Sequence, residues 1–124
     1  MSALRVFLVE DSHVFRDALA ETLAEVPAVV VGFAEDEAGA AAWLEAHACD
    51  LVVVDLWLRV GGGIGLLRSL HAKPRPFRWI VLSSFADAGT RRAAAAFGAD
   101  GVFDKASDMD QLVDYCRTLV TSAR

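Results

Sequence analysis

The chain has 124 residues, of which 55% are hydrophobic and 23% are charged, and its formal net charge is -5. This length and apolar content suit one domain around one core, which we place over residues 1–124. The acidic balance argues against direct nucleic-acid binding, because phosphate contacts need clustered Lys and Arg. No apolar run approaches the roughly 20 residues that span a bilayer. We therefore expect a cytoplasmic protein with no membrane partner.

Short apolar runs rich in strand formers alternate with apolar residues at helical spacing along the whole chain. In chain order the patterns predict strand 4–9, helix 12–26, strand 28–34, helix 35–48, strand 51–55, helix 64–71, strand 79–84, helix 87–97, strand 101–103 and a last helix after Ser107. Ser12 and Ser107 are the predicted caps of the first and last helices. Pro27 is predicted to end the first helix, and Gly98 is predicted to end helix 87–97.

The strict alternation of strand and helix predicts an α/β fold. Parallel neighbours need crossover connections, and strands that are apolar throughout are typical of a sheet covered on both faces. Five such units predict a doubly wound (βα)5 three-layer sandwich around a five-stranded parallel sheet. Cys116 lies at an apolar position of the last helix and Cys49 lies just before a strand, so we expect core thiols, with a disulfide or metal pair as the alternative.

Polar residues follow the predicted strands, and the carboxyl ends of the strands are where ligands bind in such folds. Glu10 and Asp11 follow the first strand, Asp55 ends the third, Ser83 lies at the end of the fourth, and Lys105 follows the fifth. Three neighbouring carboxylates repel one another unless a cation lies among them, and oxygen ligands suit Mg²⁺. Lys105 is one of only two lysines beside ten arginines, and a lysine offers a compact charge for one phosphoryl oxygen.

Each of these residues also has a plain structural interpretation. Asp11 or Ser12 can cap the first helix, Asp55 can simply end a strand, and a serine such as Ser83 can bond nearby backbone. Lys105 can be a solvated surface charge. The functional interpretation depends on the agreement of four strand ends that are distant in the chain.

The glycines at 61–63 and 65 do not form a known phosphate loop. The spacing G-x-x-x-x-G-K-[ST] is absent, and G-x-G-x-x-G fails from both Gly61 and Gly63. A turn with unusual backbone angles is the better interpretation. A haloacid-dehalogenase-like phosphatase would need a second aspartate at position 57, which is Trp57.

The chain resembles response-regulator receiver domains over almost its whole length. The matching pieces are "VED" with Glu10 and Asp11, "VVVDL" with Asp55, "VLSS" with Ser83, and "GADGVFDK" with Lys105. The intervals of 44, 28 and 22 residues between Asp11, Asp55, Ser83 and Lys105 also match. The resemblance implies a single-domain receiver with the flavodoxin-like strand order 2-1-3-4-5.

The resemblance also implies a role for each matching residue. Asp55 would be the phosphoacceptor, Ser83 would hydrogen-bond the phosphorylated aspartate, and Lys105 would pair with a phosphoryl oxygen. Mg²⁺ would be the cofactor, and its expected ligands are Asp11, Asp55, the backbone carbonyl of Trp57, and Glu10 through water. No enzyme activity is implied beyond the chain's own phosphorylation and dephosphorylation.

Three positions depart from the family pattern. Arg59 stands where proline is common, and Ala106 follows the lysine where proline is usual. Val102 occupies the usual aromatic switch position, and the strand's period of two predicts that the neighbouring Phe103 faces the opposite side. The resemblance therefore leaves the usual coupling between serine and aromatic residue open.

The expected partners are a sensor histidine kinase or phosphotransfer protein and an unknown downstream protein. In the family, helix 4, strand 5 and helix 5 carry the output, which here indicates Arg91, Arg92, Phe103 and Tyr115, with a homodimer through this face as a further expectation. Two alternatives stay open. The chain could be an interaction module that no longer accepts phosphate, or the receiver part of a longer transcriptional regulator.

Overall fold

A computed structural model gives the fold, and it describes residues 3–56, 64–71 and 76–122. The elements are β1 (Leu4–Val9), α1 (His13–Leu23), β2 (Ala28–Ala34), α2 (Glu37–Ala46), β3 (Leu51–Val54), α3 (Ile64–His71), β4 (Arg78–Ser83), α4 (Ala88–Ala96), β5 (Gly101–Asp104) and α5 (Met109–Ser122). The predicted alternation and the order of the elements are confirmed. No helix within these ranges is both long and apolar enough to cross a bilayer.

The five strands form one parallel sheet in the order β2-β1-β3-β4-β5, as expected. The order reverses at β1, so the carboxyl ends of β1 and β3 flank the position where doubly wound folds bind ligands. The backbone ladder continues past both strands, since the Asp55 N–H donates to the Val9 carbonyl at 2.9 Å and the Glu10 N–H donates to the Ala34 carbonyl at 2.9 Å. These bonds fix the first residues beyond the sheet.

Each face of the sheet buries a separate apolar layer. Alternate strand residues such as Val6, Leu8 and Val53 pack with α1 and α5, while Phe7 and Val52 pack with α2, α3 and α4. Cys49 and Cys116 are buried free thiols, as predicted, and burial raises the pKa of each to about 11. The three-layer sandwich is therefore confirmed.

A close approach between β2 and α2 depends on a glycine. The register of β1 against β2 shifts between Val6 and Phe7, and Gly32 lies at this irregularity. A Cβ atom on Gly32 would come within 2.5 Å of the Trp43 indole nitrogen. The Trp43 ring stacks on Phe7 with centroids 4.1 Å apart, so the absent side chain leaves the space that this ring fills.

Several predicted boundaries need correction. α1 ends at Leu23 rather than at residue 26, because the Val26 N–H donates to the Leu23 carbonyl in a turn. α5 begins at Met109, and the Asp108 carbonyl accepts its first helical hydrogen bond. The predicted capping role of Ser107 is thus wrong, since the Ser107 N–H is held by the Asp104 carboxylate in the preceding turn. Ser12 does cap α1, accepting from the Phe15 N–H at 3.2 Å.

Candidate functional site

Three acidic side chains meet at the carboxyl edge of the sheet. Carboxylate oxygens of Glu10, Asp11 and Asp55 all lie within 4.8 Å of one another. Glu10 and Asp55 are 5% and 4% exposed, and Asp11 is half-buried. Two nearly buried carboxylates beside a third are unfavourable without a neighbouring positive charge. The arrangement therefore calls for a cation at this point.

Lys105 supplies one positive charge to this cluster. Its Nζ donates to Glu10 Oε1 and to Asp55 Oδ2, the second at 3.3 Å. The same nitrogen lies 4.3 Å from the centre of the Phe15 ring, a cation–π distance. Burial alone would lower the pKa of Lys105, but the Glu10 hydrogen bond and the charges of Asp55 and Glu10 raise it overall. Lys105 is thus held in its charged form.

Glu10 is fixed from several sides. One carboxylate oxygen accepts from the Ser12 N–H at 3.1 Å, and the Glu10 carbonyl accepts from Arg16 Nη1 at 2.8 Å. Burial raises the pKa of Glu10, and the nearby Asp55 charge adds to this, while Lys105 and the Ser12 amide oppose it. The buried Arg16 guanidinium also lies 3.8 Å from the Phe33 ring centre. These contacts hold Glu10 in one conformation.

Ser83 lies at the end of β4, next to the strand end that carries Asp55. Its side chain is fully buried, and its Oγ accepts from the Phe85 N–H at 3.1 Å. Its carbonyl accepts from the Lys105 N–H at 2.9 Å, which joins the ends of β4 and β5. The structure therefore places Ser83, the last residue of β4, and Lys105, the first residue after β5, at the same edge as the carboxylates.

The matching family model is the response regulator receiver domain, which covers residues 6–117. The chain belongs to this family. It is 35% identical over 99 residues to the DNA-binding transcriptional activator DevR/DosR of Mycobacterium tuberculosis, covering 79% of this chain and 46% of that protein. It is 33% identical over 100 residues to a protein-glutamate methylesterase/protein-glutamine glutaminase of Anaeromyxobacter dehalogenans, covering 80% of this chain and 27% of that protein.

Solved structures agree with this assignment. A two-component response regulator of the LuxR family from Aurantimonas sp. SI85-9A1 superposes with a TM-score of 0.86 at 26% identity, covering 98% of this chain and 87% of that one. The chain spans less than half the length of the two curated relatives above. The shared part is the receiver domain.

The output residues predicted for this receiver differ in their surroundings. Arg92 is exposed on α4, while Phe103 and Tyr115 are half-buried and pack on each other with ring centroids 5.7 Å apart. The Arg91 guanidinium bonds within the chain, to Ala86, Val102 and Asp108. As predicted, Val102 and Phe103 pack on opposite faces of the sheet.

Other predictions for this receiver lie outside the described residues. These are the carbonyl ligand Trp57, the departure at Arg59 and the turn at 61–63. Sequence patterns also missed Phe15, Arg16, Asp104 and Asp108, which contact the site residues or their loops. The available signals are positional: α1, which carries Phe15 and Arg16, begins two residues after Asp11, and Asp104 directly precedes Lys105.

Proposed function

We propose that this chain is the phosphoacceptor receiver of a two-component phosphorelay. Asp55 takes a phosphoryl group from a histidine kinase or phosphotransfer protein, and the phosphorylated chain signals through protein–protein contacts in the cytoplasm. The observation that carries this proposal is the meeting of Glu10, Asp11, Asp55 and Lys105 at the strand ends. No activity on another substrate is proposed.

We assign the attacking oxygen to Asp55, as the resemblance to receiver domains implies. A carboxylate oxygen forms a bond to phosphorus while the bond from phosphorus to the donor's histidine nitrogen breaks, and the electron pair of that bond stays on the nitrogen. The products are an acyl phosphate and, from a phosphohistidine protonated at its other ring nitrogen, a neutral histidine. Little covalent chemistry is needed from the protein beyond alignment and charge neutralisation. Asp55 suits this role because the backbone bond to Val9 fixes its position and the side chain is nearly buried.

The donor set fits Mg²⁺. Carboxylate oxygens within 4.8 Å of one another match a hard, oxygen-loving cation. Asp11 and Asp55 would bind it directly, Glu10 through water, and the carbonyl of Trp57 would complete the protein ligands. When bound, the ion neutralises charge on the phosphoryl oxygens during transfer.

Lys105 and Ser83 would contact the transferred group. Lys105 Nζ already lies 3.3 Å from Asp55 Oδ2, within reach of an oxygen on a phosphoryl group attached there. Ser83 is buried on the neighbouring strand, and its hydroxyl would bond another phosphoryl oxygen. About two negative charges on the phosphoryl group would draw both loops toward Asp55 and bias the output face.

The test is incubation with acetyl phosphate, with and without Mg²⁺, followed by mass spectrometry of the intact chain. We expect a Mg²⁺-dependent gain of one phosphoryl mass in the wild type and in Asp114→Asn, an exposed acid on α5. Asp55→Asn should show no gain. Modification that survives Asp55→Asn, or none at all in the wild type, would refute the proposal.

One observation favours a second candidate, an interaction module that does not accept phosphate. Lys105 already pairs with two of the three carboxylates, so the site is partly neutralised as it stands. This candidate expects no phosphorylation of the wild type in the same assay. The curated relatives are longer than this chain, which supports a third candidate function, in which this receiver controls a further domain.

A further inference from the structure

The Arg91 side chain bridges three separate segments. Its Nε donates to the Ala86 carbonyl at 3.1 Å, in the loop between β4 and α4. Its Nη1 donates to the Val102 carbonyl at 2.9 Å in β5, and its Nη2 donates to Asp108 Oδ2 at 3.0 Å, just before α5. One guanidinium therefore ties the loop after Ser83 to the loop that carries Lys105.

The loop that carries Lys105 is held by two carboxylates. Asp104 Oδ1 accepts from the N–H groups of Ala106 and Ser107, at 2.8 and 3.2 Å. Asp108 Oδ2 accepts from the Asp104 N–H at 2.8 Å, and the same oxygen binds Arg91. Asp108 Oδ2 therefore links the Asp104 amide, which precedes Lys105, to the Arg91 guanidinium, while the amides that follow Lys105 are held by the Asp104 carboxylate. The proline usual after the family's lysine is replaced by Ala106, whose N–H is one of the donors.

The other loop is connected to the same network. The Phe85 N–H donates to Ser83 Oγ, and the Phe85 carbonyl accepts from Thr90 Oγ1 at 3.2 Å on α4. Any shift of Ser83 toward a phosphoryl group would move Phe85 and Ala86. The Ala86 carbonyl is one of the three groups that Arg91 binds. A shift of Ala86 would therefore move the Arg91 guanidinium and, through Asp108, the loop that carries Lys105.

We propose that Arg91 is a positioning residue for phosphoryl acceptance: through Asp108 and Ala86 it holds the Lys105 and Ser83 loops in the arrangement that serves Asp55. This inference rests on the function proposed above. Arginine suits the role because its planar fork can donate in three fixed directions at once, whereas a lysine ammonium is a single point charge. Arg91 touches no reacting atom and acts only through the two loops.

The test measures phosphorylation by acetyl phosphate with Mg²⁺ over a range of donor concentrations. Arg91→Ala and Asp108→Asn should each lower the maximal rate about tenfold, because a small displacement of an aligned group is costly. The half-saturating donor concentration should stay within about twofold of wild type. The double variant should be no slower than the slower single variant, because both changes break the same link.

A matched pair on α5 provides the control. Arg117 Nη1 donates to Asp114 Oδ1 at 3.0 Å, the same distance as in the Arg91–Asp108 pair, but far along the helix from Lys105. Arg117→Ala and Asp114→Asn remove the same charges and should leave the rate near that of wild type. Arg91→Lys should be phosphorylated as slowly as Arg91→Ala. The lysine variant takes the place of the alanine variant in the test if the alanine variant does not fold.

Equal rates for Arg91→Ala and Arg117→Ala would overturn the inference, as would effects that multiply in the double variant. Hydrogen exchange of the Asp104 amide gives a readout that needs no phosphorylation. We expect this exchange to be about tenfold faster in Arg91→Ala than in Arg117→Ala. Unchanged exchange in a protein whose wild type is phosphorylated would overturn the inference alone, whereas failure of the wild type to accept phosphate would refute the proposed function and the inference with it.

Discussion

The Lys105 side chain partly neutralises the acidic site without any bound ligand. Its ammonium contacts Glu10 and Asp55, and the Phe15 ring lies beneath it. The sequence alone predicts that Lys105 and the three acids share an edge, because strand ends of a parallel sheet must meet there. The Phe15 contact could not be predicted, since it depends on how α1 is rotated against the β5–α5 loop.

Removing this charge should tighten metal binding. Lys105→Ala leaves three carboxylates with no ammonium among them, so we expect the affinity for Mg²⁺ to rise roughly tenfold, or ~1.4 kcal/mol. Phosphorylation by acetyl phosphate should become slower in the same variant, because a phosphoryl oxygen loses its partner. Titration calorimetry with MgCl₂ measures the affinity. Lys105→Arg keeps the charge and should bind Mg²⁺ as wild type does; weaker binding by Lys105→Ala would contradict this account.

At the scale of elements, the alternation of patterns predicted the ten helices and strands of the described residues, and the resemblance to receiver domains supplied the sheet order. The ends of the elements were less accurate, and the β5–α5 turn shows why. Serine is a residue type that often caps helices, yet the Asp104 carboxylate binds the Ser107 N–H, and α5 begins only at Met109. The bond from Arg91 to Asp108 joins residues 17 apart in the chain, so no local pattern contains it. The position at which α5 begins therefore depends partly on the bond between Arg91 and Asp108, which forms only when α4 and α5 have packed on the sheet.

The same turn should respond to acid. Bonds from the Ala106 N–H lower the pKa of Asp104, and bonds from the Asp104 N–H and Arg91 lower the pKa of Asp108. Groups with a lowered pKa in the folded state stabilise the fold above their ordinary pKa, and this contribution is lost as the pH falls through the lowered value. The Asp104→Ala variant should therefore be less stable than wild type at pH 7, and the difference should shrink in acid.

Urea unfolding of both proteins between pH 7 and about pH 3, which brackets the ordinary aspartate pKa, measures this difference. Asp114→Ala is the control, because Asp114 is exposed and its carboxylate pairs with Arg117 on the same helix. Its effect should be small and nearly independent of pH. A difference between wild type and Asp104→Ala that grows as the pH falls would show that the carboxylate does not hold the turn.

At the scale of the whole molecule, the fold brings three carboxylates and one ammonium group together at the carboxyl edge of the sheet. The strand residues that precede Glu10, Asp55 and Ser83 are buried in the two apolar layers, so the rigid core fixes the site. The binding of a cation at this edge must then be linked to global stability, because the unfolded chain does not bring the three carboxylates together. Stability thus reports on the site without any assay of phosphorylation.

We expect Mg²⁺ at ten times its dissociation constant to raise the free energy of unfolding by about 1.4 kcal/mol. Asp11→Asn removes one of the proposed direct ligands and should abolish most of this increase, while Asp114→Asn should keep it. Urea unfolding with MgCl₂, compared with NaCl at equal ionic strength, separates binding from general screening of charge. If NaCl stabilises the fold as much as MgCl₂ does, or if Asp11→Asn responds as wild type does, then the three carboxylates do not form a magnesium site.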